Sequence, residues 1–284
     1  MPNARFLGKV VIVTGAGQGI GREIALAMAR EGASALIADW NGYGAQEVAN
    51  EITCSGGTSK PIKVDISDPD QVEAMVQQTV DSYGRIDVLV NNAGIGHVKP
   101  FLSINLREWN HVLSINLTGQ FLCAQAVARV MEQQGGGRIV NVASISGERG
   151  GTGRAAYGAA KAGVILLTKV MAVELAAKGI FVNAIAPGPT ETEQVSECHD
   201  DATRAAYFSL LPIKRYASPS EIANAALFLA SQEASFVNGH ILNVDGGFGA
   251  AGLILAEEEC ASGLEVGLTA GRRGLAAIRF PRTD

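Results

Sequence analysis

Seven short apolar runs alternate along this chain with longer stretches whose apolar residues recur at helical spacing. The runs are residues 10–13, 35–38, 62–64, 86–90, 139–142, 180–185 and 240–244. The helical stretches between them include 20–30, 69–83, 106–132, 153–178 and 219–230. A strand that is apolar at nearly every position is buried on both faces. In alternation with amphipathic helices, that is the pattern of a parallel sheet covered on both sides. The expected fold class is α/β: a doubly wound, seven-stranded parallel sheet with helices on both faces.

The first run enters a glycine-rich turn, Thr14-Gly15-Ala16-Gly17-Gln18-Gly19-Ile20-Gly21, which opens the first helix. Glycines there permit a sharp turn and close approach to a pyrophosphate, and the helix N-terminus offers free N–H groups to the anion. Taken alone such a turn is a weak signal. Between the first strand and the first helix it predicts a single-domain Rossmann fold, with Gly15, Gln18, Gly19, Ile20 and Gly21 against a dinucleotide. Asp39 ends the second strand, placed to accept hydrogen bonds from adenosine ribose hydroxyls. A 2′-phosphate would meet that carboxylate with like charge, and Ala16, Gln18, Trp40, Asn41 and Gly42 provide no basic residue to offset it. The expected cofactor is therefore NAD rather than NADP. Asp65, before Ile66, is placed either to meet the adenine amino group, with Ile66 beside it, or to cap the segment that follows.

Bulk properties narrow the function classes. A chain of 284 residues with 47% hydrophobic content supports one sizeable core, and a formal charge of −5 provides no footprint for nucleic acid. The first ten residues lack the apolar core of a signal peptide, and no apolar run is long enough to span a bilayer. The expectation is a cytoplasmic protein without membrane or nucleic-acid partners. Cys54, Cys123, Cys198 and Cys260 are scattered, and neither they nor the four histidines show metal-ligand spacing; no metal is expected. Composition shows no break before about residue 250. Residues 1–250 thus read as one NAD-binding domain and 251–284 as a C-terminal extension, either a loose tail or a segment crossing to a neighbouring subunit.

Tyr157 and Lys161 lie four residues apart, on one face of the expected helix, and Ser144 lies thirteen residues earlier. A cation beside a phenol favours the phenolate, so the pair can exchange a proton near neutral pH. Lowering a tyrosine pKa by ~3 units takes ~4 kcal/mol of differential stabilisation, which one lysine supplies only in a dehydrated site, with help from a positively charged cofactor.

In this order the motifs closely resemble those of the short-chain dehydrogenase/reductase family: the 14–21 turn, Asn91-Asn92-Ala93-Gly94, Asn116, Ser144, Tyr157-x-x-x-Lys161, Pro187-Gly188 and Asp245-Gly246-Gly247. The resemblance covers residues 5 to about 250. It implies an oxidoreductase that passes a hydride between NAD(H) and a secondary alcohol or ketone. Tyr157 would be the general acid and base, Lys161 would tune it and hold the nicotinamide ribose, and Ser144 would bond the substrate oxygen. Asn116 resembles the helical asparagine that holds a relay water, and it is equally a buried, bonded helix residue. Asn92 and Gly94 would line the cofactor channel, Pro187 and Gly188 would bend beneath the nicotinamide, and Thr190 would bond its carboxamide. The resemblance implies a homotetramer or dimer, with residues 106–132 and 153–178 as the interface. Two other readings are a 3-oxoacyl-carrier-protein reductase, whose family members generally prefer NADP, and a non-catalytic NAD-binding scaffold. Retention of Tyr157, Lys161 and Ser144 argues against the scaffold.

Substrate selection in this fold falls to the loops past the carboxyl ends of the strands, here 95–100, 146–154 and 191–216. The last of these is polar first and apolar later, like a lid. Ser144, Ser146, His97 and Gln194 are the expected substrate contacts, whereas Glu148 and Arg149 read better as solvated loop residues. A polar pocket suits a small hydroxylated substrate such as a polyol.

Overall fold

The computed structural model describes residues 4–252. Its strands are β1 (Val10–Thr14), β2 (Ser34–Asp39), β3 (Thr58–Lys63), β4 (Val88–Asn91), β5 (Gly137–Val142), β6 (Ile180–Pro187) and β7 (Ile241–Val244). They form one sheet of order β3-β2-β1-β4-β5-β6-β7, and every pairing is parallel. The chain winds outward from β1 to β3 and then in the other direction from β4 to β7. The switch point lies between β1 and β4, so a crevice opens past Thr14 and Asn91.

Strand periodicity divides the core between the two faces. Val11, Val13, Ala35, Ile37 and Val90 join Ile24 and Met28 of α1 (Gly19–Arg30) and Ile222 and Leu227 of α9 (Pro219–Ala230). On the other face Ile12, Leu36, Leu89 and Ile139 pack on Val72 and Met75 of α3 (Pro69–Tyr83) and on Cys123, Val127 and Met131 of α5 (Gln120–Gln133). Neighbouring residues of one strand therefore serve opposite cores, which is why the central runs read as continuously apolar.

Differences from the expected elements have local causes. β3 begins at Thr58 rather than residue 62 because it is an edge strand, half exposed and polar along much of its length. A helix not expected, α2 (Gly42–Cys54), is capped by Asn41 and buries only Ala45, Val48, Ala49 and Ile52. β4 begins at Val88, because buried Asp87 turns to accept the Val10 N–H at 2.9 Å and the Arg85 guanidinium. The expected helix 106–132 is interrupted. α4 (Leu106–Leu113) passes into one wide π turn, Ser114–Gly119, before α5 resumes; such insertions recur at functional sites. The 191–216 segment is folded, carrying α7 (Glu193–Cys198) and α8 (Asp201–Leu210). The expected extension lies almost wholly outside the described residues.

Candidate active site

The glycine turn sits at the switch point and is clamped by the end of β4. Asn92 Nδ2 donates to the carbonyls of Thr14 and Gly15, each at 3.0 Å, and Thr14 Oγ1 accepts from the N–H groups of Asn92 and Ala93 at 3.1 Å. A Cβ at Gly21 would lie 2.1 Å from the Gly15 carbonyl oxygen and 2.4 Å from Asn92 Nδ2, so only glycine lets α1 start this close to β4. Gln18 caps α1 in extended geometry without a side-chain bond, and no acidic residue occupies the first turn. The helix N-terminus with Gly19 and Ile20 is thereby left for an anion.

Asp39 is buried and already oriented. Its Oδ2 accepts the Gly17 N–H at 2.8 Å, and its Oδ1 accepts the Asn41 N–H at 2.9 Å. Its sequence neighbours lack a cation, but the sheet supplies one: Lys63 is its register partner in β3, with its stem against Gly42. Asp65 is exposed and its Oδ1 accepts both N–H and O–H of Ser67, so it organises the turn before α3, where Asp68 is the cap. Ile66 is buried against Gly119 of the π turn.

Ser144 follows β5 and Tyr157 and Lys161 lie on α6 (Ala155–Leu175). Two glycines bring them together. A Cβ at Gly147 would lie 2.7 Å from the Lys161 carbonyl carbon, and one at Gly158 would lie 2.8 Å from the Ser146 carbonyl oxygen. The short turn carrying Ser144 thus rests directly on the α6 backbone. Ser144 Oγ accepts the Ser146 N–H at 3.1 Å. Tyr157 is half-buried, and burial pushes its phenol upward, opposed by the Ser144 hydroxyl and by the charge of Arg154. The expected lowering by Lys161 is therefore not present in the protein alone. The Lys161 ammonium lies 5.8 Å from the Tyr157 ring centre and donates at 2.8 Å to the Val142 carbonyl.

Lys161 is buried, which brings its pKa down to about 8. An unfolded lysine titrates near ~10.4. Between those values the unfolded chain binds more protons, so stability rises with pH; below about 8 the cost of the buried cation is fully present. Urea unfolding of the cofactor-free protein should show a gain of roughly 1–2 kcal/mol from pH 8 to 9.5, absent in Lys161→Met. A wild-type stability that is flat across that window would contradict the assignment.

Asn116 sits fully buried in the π turn. Its Nδ2 donates to the carbonyls of Ile95 and Val112, both at 3.1 Å, and its Oδ1 accepts the Ile95 N–H at 3.2 Å. Gly94 lies between Asn116 and Lys161, leaving no room for a side chain. A buried polar network runs nearby, in which only Asn91 belongs to one of the sequence motifs. Asn91 Nδ2 donates to Asn141 Oδ1 at 3.1 Å and to the Gln120 carbonyl, and Asn141 Nδ2 donates to Thr168 Oγ1 at 2.9 Å. Gln120 Nε2 reaches the Val142 carbonyl at 3.3 Å, the same acceptor that holds Lys161. The signal for these residues was polar character inside otherwise apolar elements.

Past β6, Pro187 ends the strand, the Gly188 N–H donates to the Val244 carbonyl at 3.0 Å, and buried Thr190 bonds the Gly188 carbonyl at 3.1 Å and bridges to Ala217. The lid then runs back over the crevice. Thr192 packs against Gly19, and the cleft there, bordered also by Arg22, Glu193 and Ser196, encloses about 450 Å³. Gln194 lies over Gly96. The later lid is held by an aromatic cluster in which Tyr207, Phe208, Leu211, Tyr216 and Phe248 pack on Ile145, next to Ser144. His199 Nδ1 lies 2.9 Å from Tyr216 Oη, its ring stacked 5.3 Å from Tyr207. Glu191 is held at about 2 by the Arg204 guanidinium.

His97 has a buried Nδ1 that has no partner among the described residues. Of the two residues read as solvated, Glu148 accepts from Asn243 Nδ2 at 2.7 Å, and Arg149 lies over the Phe248 ring and donates to its carbonyl. Arg154 carries no sequence motif, yet its guanidinium carbon stands 5.5 Å from the Tyr157 ring centre. Among the described residues no group of His, Cys, Asp or Glu is placed to hold a metal ion, and no helix is long and apolar enough to cross a membrane.

Comparison with known proteins agrees with this geometry. A family profile described as enoyl-(acyl carrier protein) reductase matches residues 15–249. The 3-oxoacyl-[acyl-carrier-protein] reductase of Synechocystis is 40% identical over 241 residues, 84% of this chain and 96% of that protein. D-threitol dehydrogenase of Mycolicibacterium smegmatis is 40% identical over 244 residues, 86% of this chain and 94% of the relative. The structure of a 7α-hydroxysteroid dehydrogenase complexed with NADH and 7-oxo glycochenodeoxycholic acid superposes with a TM-score of 0.84 at 38% identity, covering 86% of this chain and 96% of that one. With matches of this extent around the Ser144, Tyr157 and Lys161 constellation, the chain belongs to the short-chain dehydrogenase/reductase family.

Proposed function

We propose that residues 1–250 form one domain that transfers a hydride between NAD(H) and a secondary alcohol or ketone, on a small, hydroxylated substrate. The observation that carries the reading is the contact of the Ser144 turn with the α6 backbone, which gathers Ser144, Tyr157 and Lys161 at the end of β5. A nicotinamide dinucleotide fits the residues present. The open end of α1 suits its pyrophosphate and Asp39 suits the adenosine ribose, while Gly94, Lys161 and Pro187 are the residues that would hold the nicotinamide half. When bound, that group supplies the hydride acceptor or donor and a positive charge in its oxidised form. Tyr157 then takes the proton of the carbinol in oxidation, or returns it in reduction. Ser144 donates to the substrate oxygen as charge develops there. Lys161, fixed by Val142, keeps a cation beside the phenol, and Asn116 fixes the Gly94–Ile95 backbone around it.

The preference for NAD rests on Asp39, with Lys63 as the opposing charge. Initial rates on a panel of secondary alcohols, read at the reduced nicotinamide absorbance, should favour NAD. Asp39→Ala should move the NADP/NAD ratio of kcat/KM upward by about tenfold or more, the ~1.4 kcal/mol expected for removing a facing like charge. Equal or better use of NADP by the wild type would sink this preference.

Reduction of a 3-oxoacyl thioester on a carrier protein is a second reading, favoured by the likeness to the Synechocystis reductase. Turnover of acetoacetyl thioesters above all small alcohols and ketones would establish it in place of the first.

The outer face of α6 exposes Leu166, Val170 and Val173 at helical spacing, with Phe121 of α5 also exposed. These residues support a homodimer or homotetramer joined across these helices. Leu166→Glu combined with Val173→Glu should lower the mass in light scattering, and an unchanged mass would rule out this interface.

A further inference from the structure

Arg154 stands at the start of α6, half-buried, and is shared between the catalytic residue and the lid. Its guanidinium carbon is 5.5 Å from the Tyr157 ring centre, and its Nη2 donates a long 3.4 Å bond to Tyr207 Oη of α8. It forms no ion pair among the described residues. A second unmatched group lies on the neighbouring 95–100 loop. Lys99 N donates to the Gly153 carbonyl at 3.0 Å, which ties the His97 loop to the segment bearing Arg154, and His97 Nδ1 is buried there without a partner. A partly desolvated guanidinium without a counter-ion is unfavourable, whereas its planar donor fork matches a carboxylate.

We propose that the substrate carries a carboxylate and that Arg154 binds it, so that the reacting carbon is presented to Tyr157. The substrate class is then the short hydroxycarboxylic and oxocarboxylic acids, since the guanidinium carbon, 5.5 Å from the Tyr157 ring centre, leaves only a few bonds between the carboxylate and a carbinol at the phenol oxygen. In oxidation the C–H bond breaks with its electron pair passing to the nicotinamide as hydride. The O–H proton passes to Tyr157, a C=O forms, and the carboxylate is unchanged. This inference rests on the hydride-transfer reading and adds the anion to it.

The test pairs short hydroxycarboxylates with their neutral methyl esters, measured with NAD on wild type, Arg154→Gln and Arg154→Lys. The wild type should prefer each acid by about tenfold or more in kcat/KM, equivalent to ~1.4 kcal/mol. Arg154→Gln should erase the acid/ester ratio and Arg154→Lys should recover part of it. In parallel, titration calorimetry with the same acids uses NADH-loaded Tyr157→Phe protein, which binds without reacting. Binding there that disappears in Tyr157→Phe/Arg154→Gln, with no turnover in wild type, upholds the carboxylate subsite and overturns hydride transfer. Turnover of esters and acids alike, or a ratio unmoved in Arg154→Gln, overturns the subsite while leaving hydride transfer standing. An equal loss on acids and esters in Arg154→Gln assigns the residue to holding Tyr207 and the lid alone, and also overturns it.

Discussion

Tyr157→Phe is expected to lose turnover by about 10³-fold or more while its affinity for NAD changes only slightly. The phenol lies on α6 with the Lys161 ammonium 5.8 Å from its ring centre, and phenylalanine keeps the ring volume. General acid–base groups contribute ~10²–10⁴ in rate, and this oxygen is assigned both halves of the proton exchange. Because burial raises the phenol in the protein alone, ionisation near neutral pH requires the additional positive charge of the oxidised cofactor. Two measurements are needed together: steady-state kcat, and NADH binding by fluorescence titration. Substantial residual turnover with cofactor binding intact would overturn the role given to Tyr157.

The second large effect is expected at a residue with no reactive group. Gly147→Ala places a Cβ 2.7 Å from the Lys161 carbonyl carbon, 2.8 Å from the Ala162 nitrogen and 2.9 Å from Ile165 Cδ1. Two of those atoms are helix backbone, so the turn carrying Ser144 must move away from α6. A shift approaching 1 Å costs on the order of 10²-fold in rate when reacting groups lose alignment. The expected result is a fall in kcat of that size at a temperature where circular dichroism shows a folded protein, with NADH binding retained at the distant glycine turn. Gly158→Ala, whose Cβ would meet the Ser146 carbonyl at 2.8 Å, should act in the same direction. Wild-type kcat in both variants would show that the turn and helix are free to adjust and that their contact does not set the geometry.

The parts of the site legible in sequence are those written into short segments. Gly15 to Gly21 announce a turn, and Asp39 stands out as the acidic end of an apolar strand. The spacing of Tyr157 and Lys161 places them on one helical face. Edge strand β3 was visible only at its apolar end, because a strand half in water has no need of continuous hydrophobic residues. The π turn around Asn116 left no trace either, since the apolar pattern of 106–132 carries on through it. Lys63 escaped notice beside Asp39 because they are neighbours across a ladder and 24 positions apart along the chain.

Sequence by itself determined the layered architecture, the glycine turn and the candidate reacting groups, because periodicity, turn residues and functional groups are local properties. Only the tertiary structure decided what surrounds those groups. It tied the lysine to the Val142 carbonyl with its ammonium 5.8 Å from the Tyr157 ring centre, raised Tyr157 by burial, and brought Arg154 beside that ring. Desolvation and charge proximity depend on which distant segments pack together, and a period or a motif does not encode that.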